Sequence, residues 1–176
     1  MLLTAPTAPV TLNFGMKMPS WYDIKSLDVN ITTKFEEVTG VDEIHKNTER
    51  IREVLKHEIE LLGGDSTKVF IGGFSQGCAM ALHVGLTFEE KLGGIMGFSG
   101  YLFPITKEHE ANAKTPIFSS HGKDDPLIPF DLSCKSYEPL KDHEITKCHE
   151  SSLGHSINGN ILESARDWFK KCLGKK

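Results

Sequence analysis

No stretch of this chain is apolar for long enough to cross a bilayer. Its first residues, Met1-Leu2-Leu3 running into Thr4-Ala5-Pro6, have neither the basic start nor the apolar centre of a secretory leader. An excess of charge of one sign is missing too. The 20 Lys+Arg stand against 24 Asp+Glu, a formal charge of −4, which offers no basic field for nucleic acid or an anionic membrane, and no stable membrane insertion is expected. Cysteine is scarce and scattered. Cys78, Cys134, Cys148 and Cys172 form no C-x-x-C and lie mostly within periodic segments, so they read as free thiols of a reducing compartment, the cytoplasm, rather than as a disulfide frame or a zinc site. Repeats, low-complexity tracts and linkers are also missing, which leaves one domain over residues 1–176. What is present suffices for one. With 39% hydrophobic residues the chain can bury its own core without metals or disulfides, and collagen, coiled coil and disorder are excluded.

Strand and helix alternate along the chain. Residues 1–35, rich in Pro, Thr and Gly, read as mostly irregular, with Leu2-Leu3 at most the end of a strand. From Asp42 to Leu62 the apolar positions Ile44, Ile51, Leu55, Ile59 and Leu62 recur at helical spacing, and Gly63-Gly64 stop the run. Lys68 to Phe74 is short, apolar and bounded by turn formers, as suits a strand covered on both faces. A helix of small residues follows over 76–87. Gly93 to Phe98 and Pro116 to Ser120 predict further buried strands, Asp131 to Leu140 a weaker helix and Ile145 to Cys148 a strand. The last helix, Asn158 to Leu173, gathers Ile161, Leu162, Ala165, Trp168, Phe169 and Cys172 on one face and is ended by Gly174. Such alternation implies an α/β fold, a mostly parallel sheet with helices on both faces.

The most informative stretch is Gly72-Gly73-Phe74-Ser75-Gln76-Gly77, at the handover from a predicted strand to a predicted helix. This is the setting of a G-x-S-x-G elbow. A serine hydroxyl stands proud of the sheet on a tight turn, and glycines two residues to either side let the backbone pack closely. The backbone N–H of Gln76, at the helix start, can then point at a developing oxyanion. A plain structural turn is the other reading. A phosphate loop is not, because Cys78 stands where its lysine belongs, and the glycines do not fit G-x-G-x-x-G.

A nucleophilic serine needs a base, and the base an orienting carboxylate, in the chain order Ser, Asp, His for this kind of sheet. His121-Gly122-Lys123-Asp124-Asp125-Pro126 follows a predicted strand, on the same sheet edge as the elbow. Asp125, fixed by Pro126, is the better acid, and Asp124 faces solvent or caps the turn. His155, between the last strand and the last helix, is the base. Among the other histidines, His45, His57, His83, His109, His143 and His149 read as surface or satisfied core residues. His121 precedes the acid, breaks the order, and is assigned to support of the loop that carries Asp125.

These residues, with others, make the chain similar to a known family. Thr4-Ala5-Pro6, Pro9-Val10-Thr11-Leu12-Asn13, Met18-Pro19-Ser20-Trp21-Tyr22-Asp23, the elbow, Phe98-Ser99-Gly100-Tyr101-Leu102, His121-Gly122 with Asp125-Pro126 and Pro129, and Gly154-His155-Ser156 occur in the order found there. The chain resembles the phospholipase/carboxylesterase group of α/β-hydrolases, and within it the acyl-protein thioesterases. The resemblance implies an α/β-hydrolase fold, Ser75 as nucleophile with Asp125 and His155 as its partners, Gln76 as one oxyanion donor, and Trp21 near the acyl-binding region. A packed core aromatic is the alternative for Trp21. Members of the family carry, ahead of the segment where this sequence starts, strands and a His-Gly-x-Gly-Asp loop that supplies a second oxyanion N–H. Those strands have no counterpart here, and the expectation is a truncated or misassigned start or a variant sheet. Loss of one oxyanion donor costs about 10²–10³ in rate. Cys78 also departs from the family, which has glycine there.

The expected chemistry is hydrolysis of a carboxylic ester or thioester through acyl-Ser75, with no metal or cofactor, and a rate that rises with pH as His155 loses its proton. Leu102 and Phe103, at the start of the loop from Tyr101 to Lys114, together with Trp21, Met16 and Met18, supply apolar surface for an acyl chain, though core packing explains some of them equally well. The resemblance points to S-acylated proteins, lysophospholipids and small esters. The alternative is a weakly active or inactive hydrolase-fold protein that binds acyl chains or a partner. A serine peptidase of this fold would need a gating domain for which the length leaves no room.

Overall fold

Proline, threonine and glycine do not leave the start of the chain irregular. Thr7–Val10 (β1) and Met16–Pro19 (β2) pair antiparallel, Thr7 opposite Pro19 and Val10 opposite Met16, in a computed structural model that describes residues 1–27 and 34–174. A 3₁₀ turn at Thr11–Asn13 and two left-handed residues, Phe14 (φ 56°) and Gly15 (φ 74°), reverse the chain. The Asp23 carboxylate ties the turn down, accepting from the Thr11 N–H at 2.7 Å and its hydroxyl at 2.6 Å. Two prolines in eight strand residues hide the hairpin from a reading of apolar alternation. Leu2 and Leu3 lie in no strand and are exposed. A short helix, Phe35–Val38 (α1), leads to the long helix Val41–Leu61 (α2).

The residues fall into two compact units, Met1–Ile51 and Arg52–Lys176. Within the first, the Trp21 carbonyl accepts from Asn47 Nδ2 at 2.6 Å, which fastens the segment after β2 to α2. In the second, α2 ends at left-handed Gly63 and Gly64, whose N–H groups return to the carbonyls of Glu60 and Ile59. Asp65 then caps a 3₁₀ turn, Ser66–Lys68, so the next strand begins at Phe70 rather than Lys68.

That strand, Phe70–Phe74 (β3), is followed by the helix Gln76–Thr87 (α3), then Gly94–Phe98 (β4), Ile117–Gly122 (β5), the helix Phe130–Ser136 (α4), Ile145–Glu150 (β6) and the helix Gly159–Gly174 (α5). The four strands form a parallel sheet in the order β3-β4-β5-β6. Their register builds the core. Ile71, Ile95, Ile117 and Ile145 stand abreast on adjacent strands and, because strand side chains alternate, share one face. Cys78, Leu82 and Leu86 of α3 pack against this row. On the other face Phe70, Met96, Phe98 and Phe118 meet Ile161, Ala165 and Trp168 of α5. Helices thus cover both faces, as the alternation implies. The expected helix over 131–140 is shorter, because Pro139 cannot donate to a continuing helix and Glu138–Leu140 turns as 3₁₀. β5 runs two residues past Ser120 and carries the buried His121 and Gly122 to the sheet's C-terminal edge.

Candidate active site

At the C-terminal edge the backbone itself is strained. Ser75 alone joins β3 to α3, at φ 55° and ψ −119°. Such a conformation costs a non-glycine residue about 1–3 kcal/mol, so its surroundings must hold it. The Ser75 N–H donates to the Phe98 carbonyl at 2.9 Å and the Ser75 carbonyl accepts from the Cys78 N–H at 3.0 Å. Gly73 makes the turn tight enough, since a Cβ there would overlap the carbonyl of Gly77. Gln76 is the first residue of α3, where backbone N–H groups point out of the helix end.

Ser75, Asp125 and His155, 50 and 30 residues apart in sequence, converge through three strand-end loops. The Ser75 hydroxyl lies 2.9 Å from His155 Nε2, and His155 Nδ1 lies 2.8 Å from Asp125 Oδ2. In the arrangement that transfers a proton, Nδ1–H donates to the carboxylate and Nε2 accepts from the serine. Asp125 is buried, and burial opposes its ionisation. Donation from the Ile128 N–H, His155 and the Leu127 N–H outweighs that, so its carboxyl sits below the ordinary value. The Asp125 side chain is thus the fixed charge of the site. Asp124 is exposed, and its N–H ties the acid loop to the Leu153 carbonyl at 3.1 Å.

The His155 loop reaches the serine because Gly122 lets it. A Cβ on Gly122 would overlap the carbonyl oxygens of Leu153 and Gly154. The loop is also held by the buried Ser99, whose hydroxyl faces the Ser156 carbonyl at 3.4 Å, and by the Ser156 N–H donating to Gly154. The Phe74 ring stands 4.8 Å from the imidazole of His155, centre to centre, and shields one side of it. Sequence reasoning gave no role to Phe74 or Gly122, and placed His121 only as support for the loop. Each lies inside a quoted block, but only the folded loops show what it touches.

Two of the expected acyl-chain residues are built into the core. Leu102 belongs to the core cluster under α3, its N–H held by Ser136 Oγ at 3.0 Å. Phe103 is fully buried between the rings of His83 and Tyr101. Trp21 lies in the first unit, half-buried. Directly below the elbow Cys78, Tyr137 and Ser119 form a second polar cluster. Burial pushes the Cys78 thiol up to about 12, and burial followed by the neighbouring thiol holds the Tyr137 phenol well above its ordinary range. Among the described residues no three His, Cys, Asp or Glu side chains gather as a metal site, and no helix is long and apolar enough to cross a membrane.

The family model for phospholipases and carboxylesterases matches residues 1–173. The chain belongs to that family. It is a serine hydrolase of the carboxylic-ester class, with the α/β-hydrolase fold. Acyl-protein thioesterase 1 of Schizosaccharomyces pombe is 40% identical over 97% of this chain and 76% of its own length. Its namesake in Yarrowia lipolytica is 35% identical over 95% and 74%. Among solved structures, Arabidopsis thaliana SOBER1 superimposes with a TM-score of 0.84 at 31% identity, covering 98% of this chain and 83% of that one. The chain spans about three quarters of the two thioesterases.

Proposed function

We propose that this protein hydrolyses acyl thioesters and esters through an acyl-Ser75 intermediate. The observation that carries the reading is the continuous link from Ser75 Oγ through His155 to the buried Asp125 carboxylate, at 2.9 and 2.8 Å. Ser75 Oγ attacks the acyl carbon while its proton passes to His155 Nε2, and the oxyanion that forms is met by the Gln76 N–H. Collapse breaks the bond to the leaving group, which departs as thiol or alcohol with the proton from His155. Water then enters, gives its proton to His155, and attacks the acyl-enzyme. The carboxylic acid leaves and Ser75 recovers its proton. Asp125 stays ionised throughout and stabilises the imidazolium.

The likeness to acyl-protein thioesterases favours S-acylated proteins as substrates, with lysophospholipids and small esters beside them. By the family resemblance Trp21 is the acyl-chain residue in this reading, Leu102 and Phe103 being taken up by core packing, and Trp21→Ala is expected to raise KM for long-chain substrates more than for acetyl esters. Four cysteines outside any disulfide fit a cytoplasmic setting. A fluorophosphonate probe read by intact mass tests the core of the proposal. One adduct on the protein and none on Ser75→Ala is the expected result, while an unlabelled wild-type protein, or equal labelling of both, overturns it.

A further inference from the structure

Two imidazoles face the Asp125 carboxylate. His155 Nδ1 lies 2.8 Å from Oδ2, and His121 Nε2 lies 3.3 Å from the same oxygen and 2.9 Å from the Ile128 carbonyl. We infer that His121 is a positioning residue of the triad, whose Nε2–H is shared between Asp125 Oδ2 and the Ile128 carbonyl and so limits how strongly Asp125 holds a proton on His155. The inference rests on the triad assigned above.

The tautomer follows from the neighbours. Both groups facing His121 Nε2 are oxygens that accept, a carbonyl and a carboxylate whose ionised form is favoured, so Nε2 carries the hydrogen. Nδ1 is buried with no partner among the described residues, so a hydrogen there would be an unmet donor, and Nδ1 is the bare nitrogen. The side chain cannot turn to find other partners. It is 1% exposed, on a fully buried strand, with the Phe130 ring of α4 6.0 Å away. Asp125 Oδ1 is occupied by the N–H groups of Leu127 and Ile128, both at 2.9 Å. Three hydrogen bonds, from His155, Leu127 and Ile128, and the polarised Nε2–H of His121 beside them therefore divide one negative charge, and each contact added weakens the pull on the others. Without His121 more of that charge falls on His155 Nδ1–H, the imidazolium is stabilised, and His155 gives up its proton only at higher pH.

Other charged groups surround the pair. His149 stands opposite His121 on β6, its imidazole lowered first by burial and then by Lys147, His121 and Lys123. Asp124 and Asp131, from the acid loop and α4, are exposed. A change at His121 is therefore followed on His155 and on His149 separately.

His121→Phe fills the site without a donor, and His121→Gln returns an amide N–H near the position of Nε2. The expected result is a kcat/KM against pH profile whose rising limb moves to higher pH in His121→Phe and returns in His121→Gln. Long-range ¹H–¹⁵N spectra report the same quantities without turnover: an Nε2–H tautomer of His121 in the wild type, and a His155 titration displaced upward in His121→Phe. A loss of rate with an unmoved profile, or an Nδ1–H on wild-type His121, overturns the inference. An enzyme unlabelled by fluorophosphonate defeats the proposed function instead, and the His155 titration then still decides the role of His121. Should His121→Phe not fold, the wild-type tautomer and the profile of His121→Gln decide it.

Discussion

Two hydrogen-bonded clusters of ionisable side chains meet at the start of α3, one on either side of the elbow. Above it Ser75, His155 and Asp125 run from a half-buried hydroxyl to a buried charge. Below it Cys78, Tyr137 and Ser119 are sealed in the core. The sealed cluster holds the better intrinsic nucleophile, a thiol, yet burial keeps it protonated, with the Tyr137 phenol and the Phe98 backbone as its hydrogen-bond partners. The open cluster holds a poor nucleophile with a base aligned on it. Three residues of sequence separate reactive from inert, and what differs is access and the identity of the acceptor.

That contrast can be broken from the catalytic side. Asp125→Asn leaves a neutral amide where His155 needs an anion, and kcat is expected to fall about 10⁴-fold, measured with a small ester. Next comes Gly122→Ala. The added methyl drives the Leu153 and Gly154 carbonyls away, and a displacement of the His155 loop by about 1 Å should cost about 10² in kcat. Secondary structure by circular dichroism should hold.

The sealed cluster responds through stability. Cys78→Ala should leave hydrolysis within a few-fold of wild type and cost about 1–2 kcal/mol in urea unfolding for the small cavity. In the folded protein the thiol ionises at about 12 against an ordinary 9.0, so the folded state holds its proton where the unfolded chain releases it. Stability therefore falls as pH rises from about 9 towards 12, Tyr137 adding to the fall, and Cys78→Ala should remove the thiol's share. Asp125 acts at the other end of the scale. Its lowered value makes its contribution present above the ordinary carboxyl value of 3.8 and lost as pH falls through the folded one, so Asp125→Asn should flatten the acid limb of stability. The smallest change is expected outside both clusters. Lys56 and Glu89 pair at 2.6 Å, but both are about half exposed, solvent screens them, and Lys56→Ala should cost about 0.5 kcal/mol or less.

Much of the sheet was legible because its strands are buried on both faces and leave short apolar runs between turn formers. β3, β4 and β6 start or stop within two residues of expectation, and α2 and α5 within one. The hairpin was hidden because β1 and β2 are four residues each, with prolines and outward methionines in place of alternation. The three residues now joined by hydrogen bonds were legible one by one through glycine, proline and chain order. Their support was not. Gly122 matters for a carbonyl 31 residues away, and His121 for a carboxylate that chain order alone would give to His155.

The strand that delivers Ser75 also has consequences for how the protein behaves at high concentration. Among the described residues β3 pairs with β4 alone, and Phe70–Phe74 contains no charge and no proline, with Gly72 and Phe74 exposed. An apolar edge of this kind is a template for any further strand, the hazard that natural sheets blunt with lysine or proline. Light scattering of residues 1–176 alone should therefore show association that grows with concentration, through the same backbone that aims the nucleophile.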